Sequence, residues 1–183
     1  MKTRYIALLR GINVGGKNVI PMKDLKALFE QCGFCDIETY IQSGNVMFSC
    51  GVSDSSKIRK KIEINLKKYS GADIPVVLLT AEQLSNVVAN APAWFGAEPE
   101  KYRYDVAFLD PEIDAGTLLP KIPLREGVDC AAAGNSVLYF SKMIEKATQS
   151  RLPKMISLPE YRLLTVRNRN TTLKMLELVH SKL

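Results

Sequence analysis

Residues 37–49 read Ile-Glu-Thr-Tyr-Ile-Gln-Ser-Gly-Asn-Val-Met-Phe-Ser. Residues 37–41 are rich in β-branched and aromatic side chains, and residues 46–49 are mostly apolar. Between them Gln42-Ser43-Gly44-Asn45 supplies the residue types of a tight turn, so the stretch predicts a β-hairpin. Upstream, residues 5–9 (Tyr-Ile-Ala-Leu-Leu) form a short apolar run that suits a buried strand. Residues 10–20 are rich in glycine and asparagine and read as loop. Pro21 is placed as the first residue of a helix. Met22, Leu25, Leu28, Phe29 and Cys32 then recur at helical spacing until Gly33 stops the run. Downstream, residues 53–56 offer an N-cap, followed by a helix with Ile58, Ile62, Leu66 and Tyr69 along one face. Lys57, Arg59, Lys60, Lys61, Lys67 and Lys68 crowd the rest of that helix. Residues 74–79 close the set as a strand, which Pro75 marks as an edge strand or a strand start. The resulting order, strand-helix-strand-strand-helix-strand, is that of a ferredoxin-like unit.

The second half repeats this order more faintly. Thr80 and Gln83 fit a capping box for a helix carrying Leu84, Val87 and Val88. Residues 91–102, with Pro92, Gly96 and Pro99, read as a connector, in which Trp94 and Phe95 should pack against the body. Strands are expected at 104–109, 127–132, 136–140 and 162–166. Short helices are expected near 113–119 and around Met143, Ile144 and Ala147, the latter interrupted by Pro153. A last helix is expected over 171–181. The fold reading is therefore α+β: two tandem ferredoxin-like (βαββαβ) units with antiparallel sheets and a C-terminal helix. The boundaries are 1–79 for the first unit, 80–102 for a connecting helix and linker, and 103–183 for the second unit with the final helix.

The composition fits a packed globular chain: 46% of the 183 residues are hydrophobic and 24% charged. The net charge of +6 and a pI near 9.1 favour anionic partners without choosing among them. The N-terminal apolar run is closed by Arg10 after five residues, too short for a signal sequence or a membrane span, so a cytoplasmic protein without membrane contact is expected. Four cysteines are too few for a disulfide scaffold. Cys32 and Cys35 form a C-x-x-C at the end of a helix, where the dipole opposes a thiolate, so they read as small apolar residues. With His180 the only histidine, no second ligand pair for a metal is present, and none is expected.

Three stretches are distinctive: residues 5–22 (YIALLRGINVGGKNVIPM), 39–48 (TYIQSGNVMF) and 165–173 (TVRNRNTTL). Together they resemble the domain-of-unknown-function 1697 family of bacterial proteins. In the third motif Arg169 stands where that family carries an aromatic residue. The resemblance implies tandem ferredoxin-like units and implies no established activity.

Residues 11–17 fit G-x-x-x-x-G-K after a strand, the outline of a phosphate-binding P-loop. Asn18 replaces the hydroxyl that would hold Mg²⁺, and the helix waits for Pro21, whereas a P-loop lysine enters its helix at once. The mixed strand order also argues against a nucleoside triphosphatase. A more general anion-binding loop fits better: Gly11, Gly15 and Gly16 free the backbone, and Arg10 and Lys17 add charge. In a right-handed βαβ arrangement the first two strands end at the same sheet edge, so this loop and the 42–45 turn should be neighbours. The candidate ligand-binding set is therefore Arg10, Gly11, Asn13, Gly15, Gly16, Lys17, Gln42, Ser43 and Asn45, with Arg167, Asn168 and Asn170 as a secondary set. A structural alternative is that Asn13, Gln42 and Asn45 only tie loop to turn.

No catalytic residues or cofactor can be named. His180 reads as a surface residue, and no G-x-S-x-G or Cys–His pairing motif is present. The functional readings are binding of an anionic small molecule or nucleotide, an enzyme acting on a phosphorylated or carboxylated metabolite, or a nucleic-acid-binding or protein-interaction module. Tyr40 and Phe48 are strand aromatics without the signature of RNA-reading sheets, which makes nucleic acid the lesser alternative.

Overall fold

The computed structural model describes residues 2–16 and 18–181. The chain divides into two compact units, one comprising Met1–Ser85 with Lys174–Leu183 and the other Asn86–Leu173.

The first unit is a four-stranded antiparallel sheet with strands β1 (Thr3–Leu9), β2 (Cys35–Tyr40), β3 (Asn45–Cys50) and β4 (Val76–Thr80), in the order β2-β3-β1-β4. β1 pairs with β3 from Thr3↔Cys50 to Leu8↔Asn45, and with β4 from Tyr5↔Thr80 to Leu9↔Val76. Helix α1 (Met22–Gln31) begins after Pro21 and closes at Cys32, with Gly33 in the left-handed conformation that a helix end requires (φ 75°). Helix α2 (Ser55–Ser70) is capped by Asp54, whose carboxylate accepts from the Ser56 and Lys57 amides at 3.0 and 3.2 Å. Pro75 precedes β4, an edge strand, where its missing donor costs no ladder bond.

The core of this unit joins Tyr5, Ala7 and Leu9 of β1 to Leu25, Phe29, Phe34, Phe48, Ile58, Ile62 and Leu66. Phe29, Phe34 and Phe48 form an aromatic cluster, with Phe34 and Phe48 stacked at 4.4 Å. Ile6, Leu8 and Met47, on the opposite sheet face, are also fully buried, so β1 reads as a continuous apolar run rather than an alternating one. Tyr69 departs from expectation: it is exposed, and its hydroxyl donates to the Asp24 carboxylate at 2.7 Å. The expected capping box exists, with the Thr80 amide donating to Gln83 Oε1 at 2.8 Å and the Gln83 amide to Thr80 Oγ1 at 3.1 Å. It opens helix α3 (Ala81–Ala89).

The second unit is again a four-stranded antiparallel sheet, with β5 (Tyr102–Leu109), β6 (Asp129–Gly134), β7 (Val137–Met143) and β8 (Leu164–Asn168) in the order β6-β7-β5-β8. Its core gathers Ala107, Leu109, Leu118, Leu138, Phe140, Leu152 and Leu164. In the connector, Phe95 packs edge-on against Trp94, Tyr104 and Tyr139. Helix α5 (Arg169–His180) follows β8 directly.

Two expected helices are corrected here. The helix near 113–119 shrinks to α4 (Ala115–Leu118), capped by Asp114 and followed by a 3-10 turn at Leu119–Lys121. No α-helix forms around 143–147. β7 runs on to Met143 because Lys142 and Met143 pair with Arg103 and Tyr102. The chain then crosses back through 3-10 turns at Ala147–Gln149, Leu152–Ser157 and Pro159–Leu163. Pro153 is the second residue of one of the last two and Pro159 the first of the other, positions where their fixed φ is accepted and a longer α-helix is broken. Among the described residues no helix is long and apolar enough to cross a membrane.

Candidate functional site

β1 and β2 run parallel because each is antiparallel to β3, so both end at one edge of the first sheet. The loop after β1 and the turn after β2 meet there. The Leu9 amide donates to the Gly44 carbonyl at 2.8 Å, and the Arg10 amide to the Pro75 carbonyl at 3.0 Å. Ile12 is 1% exposed and anchors the loop in the core.

Asn13 ties loop to turn. Its Nδ2 donates to the Ile20 carbonyl at 3.0 Å and the Gln42 carbonyl at 2.9 Å, while its Oδ1 accepts from the Ile20 amide at 2.8 Å. Asn18 Nδ2 donates to the Gly11 carbonyl at 3.2 Å, and the Asn13 amide to the Asn18 carbonyl at 3.2 Å, folding the loop back on itself. The backbone is left-handed at Gly11, Asn13, Gly15, Gly16 and Asn18, with φ between 47° and 73°. Asparagine and glycine are the residues that adopt this conformation at least cost. The glycines at 11, 15 and 16 face open space, so backbone conformation rather than crowding demands them.

The turn is built tightly. Asn45 is fully buried, and its Nδ2 donates to the Tyr40 carbonyl at 2.9 Å and to Ser43 Oγ at 3.0 Å. Gly44 (φ 78°) lies so close to the loop that a Cβ there would stand 2.7 Å from Leu9 Cβ and 2.8 Å from Ile12 Cδ1. Ile41, a β-branched residue, holds φ 50° while 48% exposed. A depression of about 140 Å³ opens between loop and turn, lined by Asn13, Val19, Ile20, Pro21, Met22 and Gln42.

The structure thus brings Asn13 and Gln42 into contact and turns Ser43 and Asn45 inward upon the turn. Gly11, Gly15 and Gly16 are exposed and Arg10 is half-buried at the base of the loop. Lys17 lies outside the described residues. The Asn13 and Asn45 amides are occupied by protein partners, so the loop's outward polar capacity rests on its backbone.

Arg167, Asn168 and Asn170 belong to the second unit. Burial of the Arg167 guanidinium lowers its pKa to about 10, and its Nη1 donates to the Val166 carbonyl at 3.0 Å. Asn168 caps α5, its Oδ1 accepting from the Thr171 amide at 2.7 Å. Asn168 and Asn170 border a cleft of about 380 Å³ that also exposes Arg103, Lys142 and Arg169. Arg103 and Lys142 carry no local signal in the sequence, and Arg169 stood out only as a departure within the third motif. The alternation Tyr102-Arg103-Tyr104-Asp105 does place Arg103 and Asp105 on one strand face, but only the β5–β7 register sets Lys142 opposite Arg103.

His180 is exposed, with Nε2 3.0 Å from Ser85 Oγ. Cys32, Cys35, Cys50 and Cys130 are free thiols. Burial raises the Cys32 pKa against the pull of nearby Lys61. Among the described residues, no group of three or more His, Cys, Asp or Glu side chains is arranged to hold a metal ion.

No functionally curated protein matches the chain. A conserved bacterial protein of Streptococcus pneumoniae has a similar structure, with a TM-score of 0.85 and 27% identity over 98% of this chain and 99% of that one. The family described as a protein of unknown function, DUF1697, matches residues 1–139, a span that holds the first two distinctive motifs and stops short of the third. The chain belongs to the DUF1697 family.

Proposed function

We propose that the glycine-rich loop of the first unit binds an anionic small molecule or nucleotide through its backbone amides. The observation that carries this reading is the run of left-handed residues at 11, 13, 15, 16 and 18. Left-handed residues help turn neighbouring N–H groups toward a common centre, a concavity suited to an anion, although the Asn13 amide itself is spent on the Asn18 carbonyl. Asn13 holds that loop to the turn through three hydrogen bonds, so the concavity is ordered before any ligand arrives. Arg10 and Lys17 supply the matching charge. The test is a titration of phosphate and mononucleotides into ¹⁵N-labelled protein. Shifts centred on Gly11, Gly15 and Gly16, weakened by Arg10→Ala or Lys17→Ala, support the reading; unchanged affinity in both variants defeats it. Turnover of a phosphorylated or carboxylated metabolite by the same protein would mark an enzyme rather than a binder.

A second reading, a protein- or nucleic-acid-interaction module, draws on Val14 and Val19, each 64% exposed, and Ile41 at 48%, all on the same loop and turn. A nucleic-acid partner would reveal itself by an affinity falling steeply with salt. We further read each unit as ferredoxin-like, supported by the same strand order and all-antiparallel pairing in both sheets. The free cysteines favour a reducing, cytoplasmic setting.

A further inference from the structure

Independently of the first unit, the second carries a cleft lined by more cations than carboxylates. β5 reaches further than its neighbour: β8 pairs with it only as far as Asp105↔Asn168, while β7 pairs on to Tyr102↔Met143. The overhanging segment of β5, the end of β8 and the first residues of α5 enclose the cleft of about 380 Å³. That volume lies in the range of small-molecule sites, roughly 300–1,000 Å³.

Arg103 and Lys142 are directly opposed across β5 and β7. Like charges so placed repel and destabilise a sheet unless something answers them. Arg169 brings a third cation to the same cleft. Its guanidinium is held against the backbone of Gly96, where an added Cβ would lie 2.2 Å from Nε and 2.5 Å from Cζ. Gly96 at φ 95° therefore provides a seat that no other residue type allows. Among the described residues none of the three cations forms an ion pair within 4.0 Å.

Neighbouring acids offset this charge only in part. Asp129 is the other cross-strand neighbour of Lys142 and keeps its charge, but its oxygens accept from the Ser150 hydroxyl at 2.5 Å and the Arg125 and Arg151 amides at 2.9 and 2.8 Å, and it does not line the cleft. Asp105 lines the cleft itself, where burial raises its pKa while Lys142 and Arg103 draw it down. Among the residues lining the cleft, three cations stand against one carboxylate, an excess of two positive charges that suits a dianionic phosphomonoester. A guanidinium presents donors in a fork that matches phosphate oxygens.

We propose that this cleft binds the phosphate of a small phosphomonoester, with Arg103, Lys142 and Arg169 as its ligands and Asn168 and Asn170 at its rim.

The test uses inorganic phosphate, ribose 5-phosphate and adenosine monophosphate, titrated into full-length protein and followed by calorimetry and ¹⁵N amide shifts. Both phosphomonoesters should bind about tenfold or more tightly than inorganic phosphate, because the cleft is larger than the ion. Lys142→Met and Arg169→Gln should each weaken them about tenfold or more. Asp105→Asn should tighten them several-fold by removing the opposing charge, a gain that damage to the fold cannot imitate. Shifts should centre on residues 102–105, 142 and 168–170. Failure to bind, equal affinity for all three ligands, unaltered affinity in Lys142→Met and Arg169→Gln, or weaker binding by Asp105→Asn would each overturn the proposal. Shifts confined to residues 11–18 would overturn it while leaving the first-unit loop intact, and shifts confined to the cleft would do the reverse.

Discussion

Replacing Asn13 with alanine removes three hydrogen bonds at once, those to the Ile20 carbonyl, the Gln42 carbonyl and the Ile20 amide. Each contributes about 0.5–1.5 kcal/mol net, and the bond to Gln42 belongs at the low end because it is exposed to water. Their loss costs about 2–3 kcal/mol. Asn13 also holds φ 54°, a region alanine enters at an extra cost of about 1 kcal/mol. The expected destabilisation of Asn13→Ala is therefore about 3–4 kcal/mol, read as a shift in the urea midpoint with an unchanged slope. Asn13→Gly loses the same bonds but accepts the conformation, so it should fall about 1 kcal/mol short of the alanine variant in the folded state, less what glycine gains in the unfolded chain. In both variants the loop loses its tie to the turn, and phosphate affinity should fall with it. A loss below about 1 kcal/mol for Asn13→Ala would show that the loop stands without this tether.

Other positions yield sharp expectations. Gly44→Ala places a Cβ 2.7 Å from Leu9 Cβ at φ 78°, so it should cost about 2–4 kcal/mol by urea denaturation, from left-handed strain and overpacking together. Asp105 holds its proton more tightly when folded than unfolded, so its contribution is complete below the unfolded pKa near ~3.9 and is lost as pH rises through the folded value. Asp105→Asn should accordingly raise the Tm at neutral pH and flatten its dependence from pH ~4 upward, and an unchanged pH profile would contradict the burial assigned to this carboxyl. Thiol labelling of the native protein should modify exposed Cys130 first and buried Cys32 and Cys50 last, with Cys32 still protonated at pH values where an ordinary thiol has ionised.

Much of the first unit was legible because local signals agreed with one another. The Gln42–Asn45 turn, Gly33 after α1 and the Thr80–Gln83 box each act within a few residues and are found where expected, while Pro21 lies one residue before α1 rather than at its first position. The meeting of loop and turn also followed, since strand order alone carries both to one edge. What the sequence hid was whatever depends on register or on a partner far along the chain. Nothing local says that Asn13 spends its amide on Gln42, or that Arg169 rests on Gly96. Met143, Ile144 and Ala147 have helical spacing, but pairing of Met143 with Tyr102 extends the strand, and Pro153 and Pro159 leave only 3-10 turns beyond it. The cationic cleft is invisible for the same reason, because Arg103 and Lys142 are opposed only by the register of β5 on β7.

The most direct test of the proposed function is the pattern of amide shifts when phosphate is titrated into ¹⁵N-labelled protein at low ionic strength. Saturable shifts at Gly11, Gly15 and Gly16, lost in Asn13→Ala under conditions where that variant remains folded, are the predicted result. Amides at 11–18 that stay in place while phosphate reaches millimolar concentration would contradict the claim that this loop is an anion site.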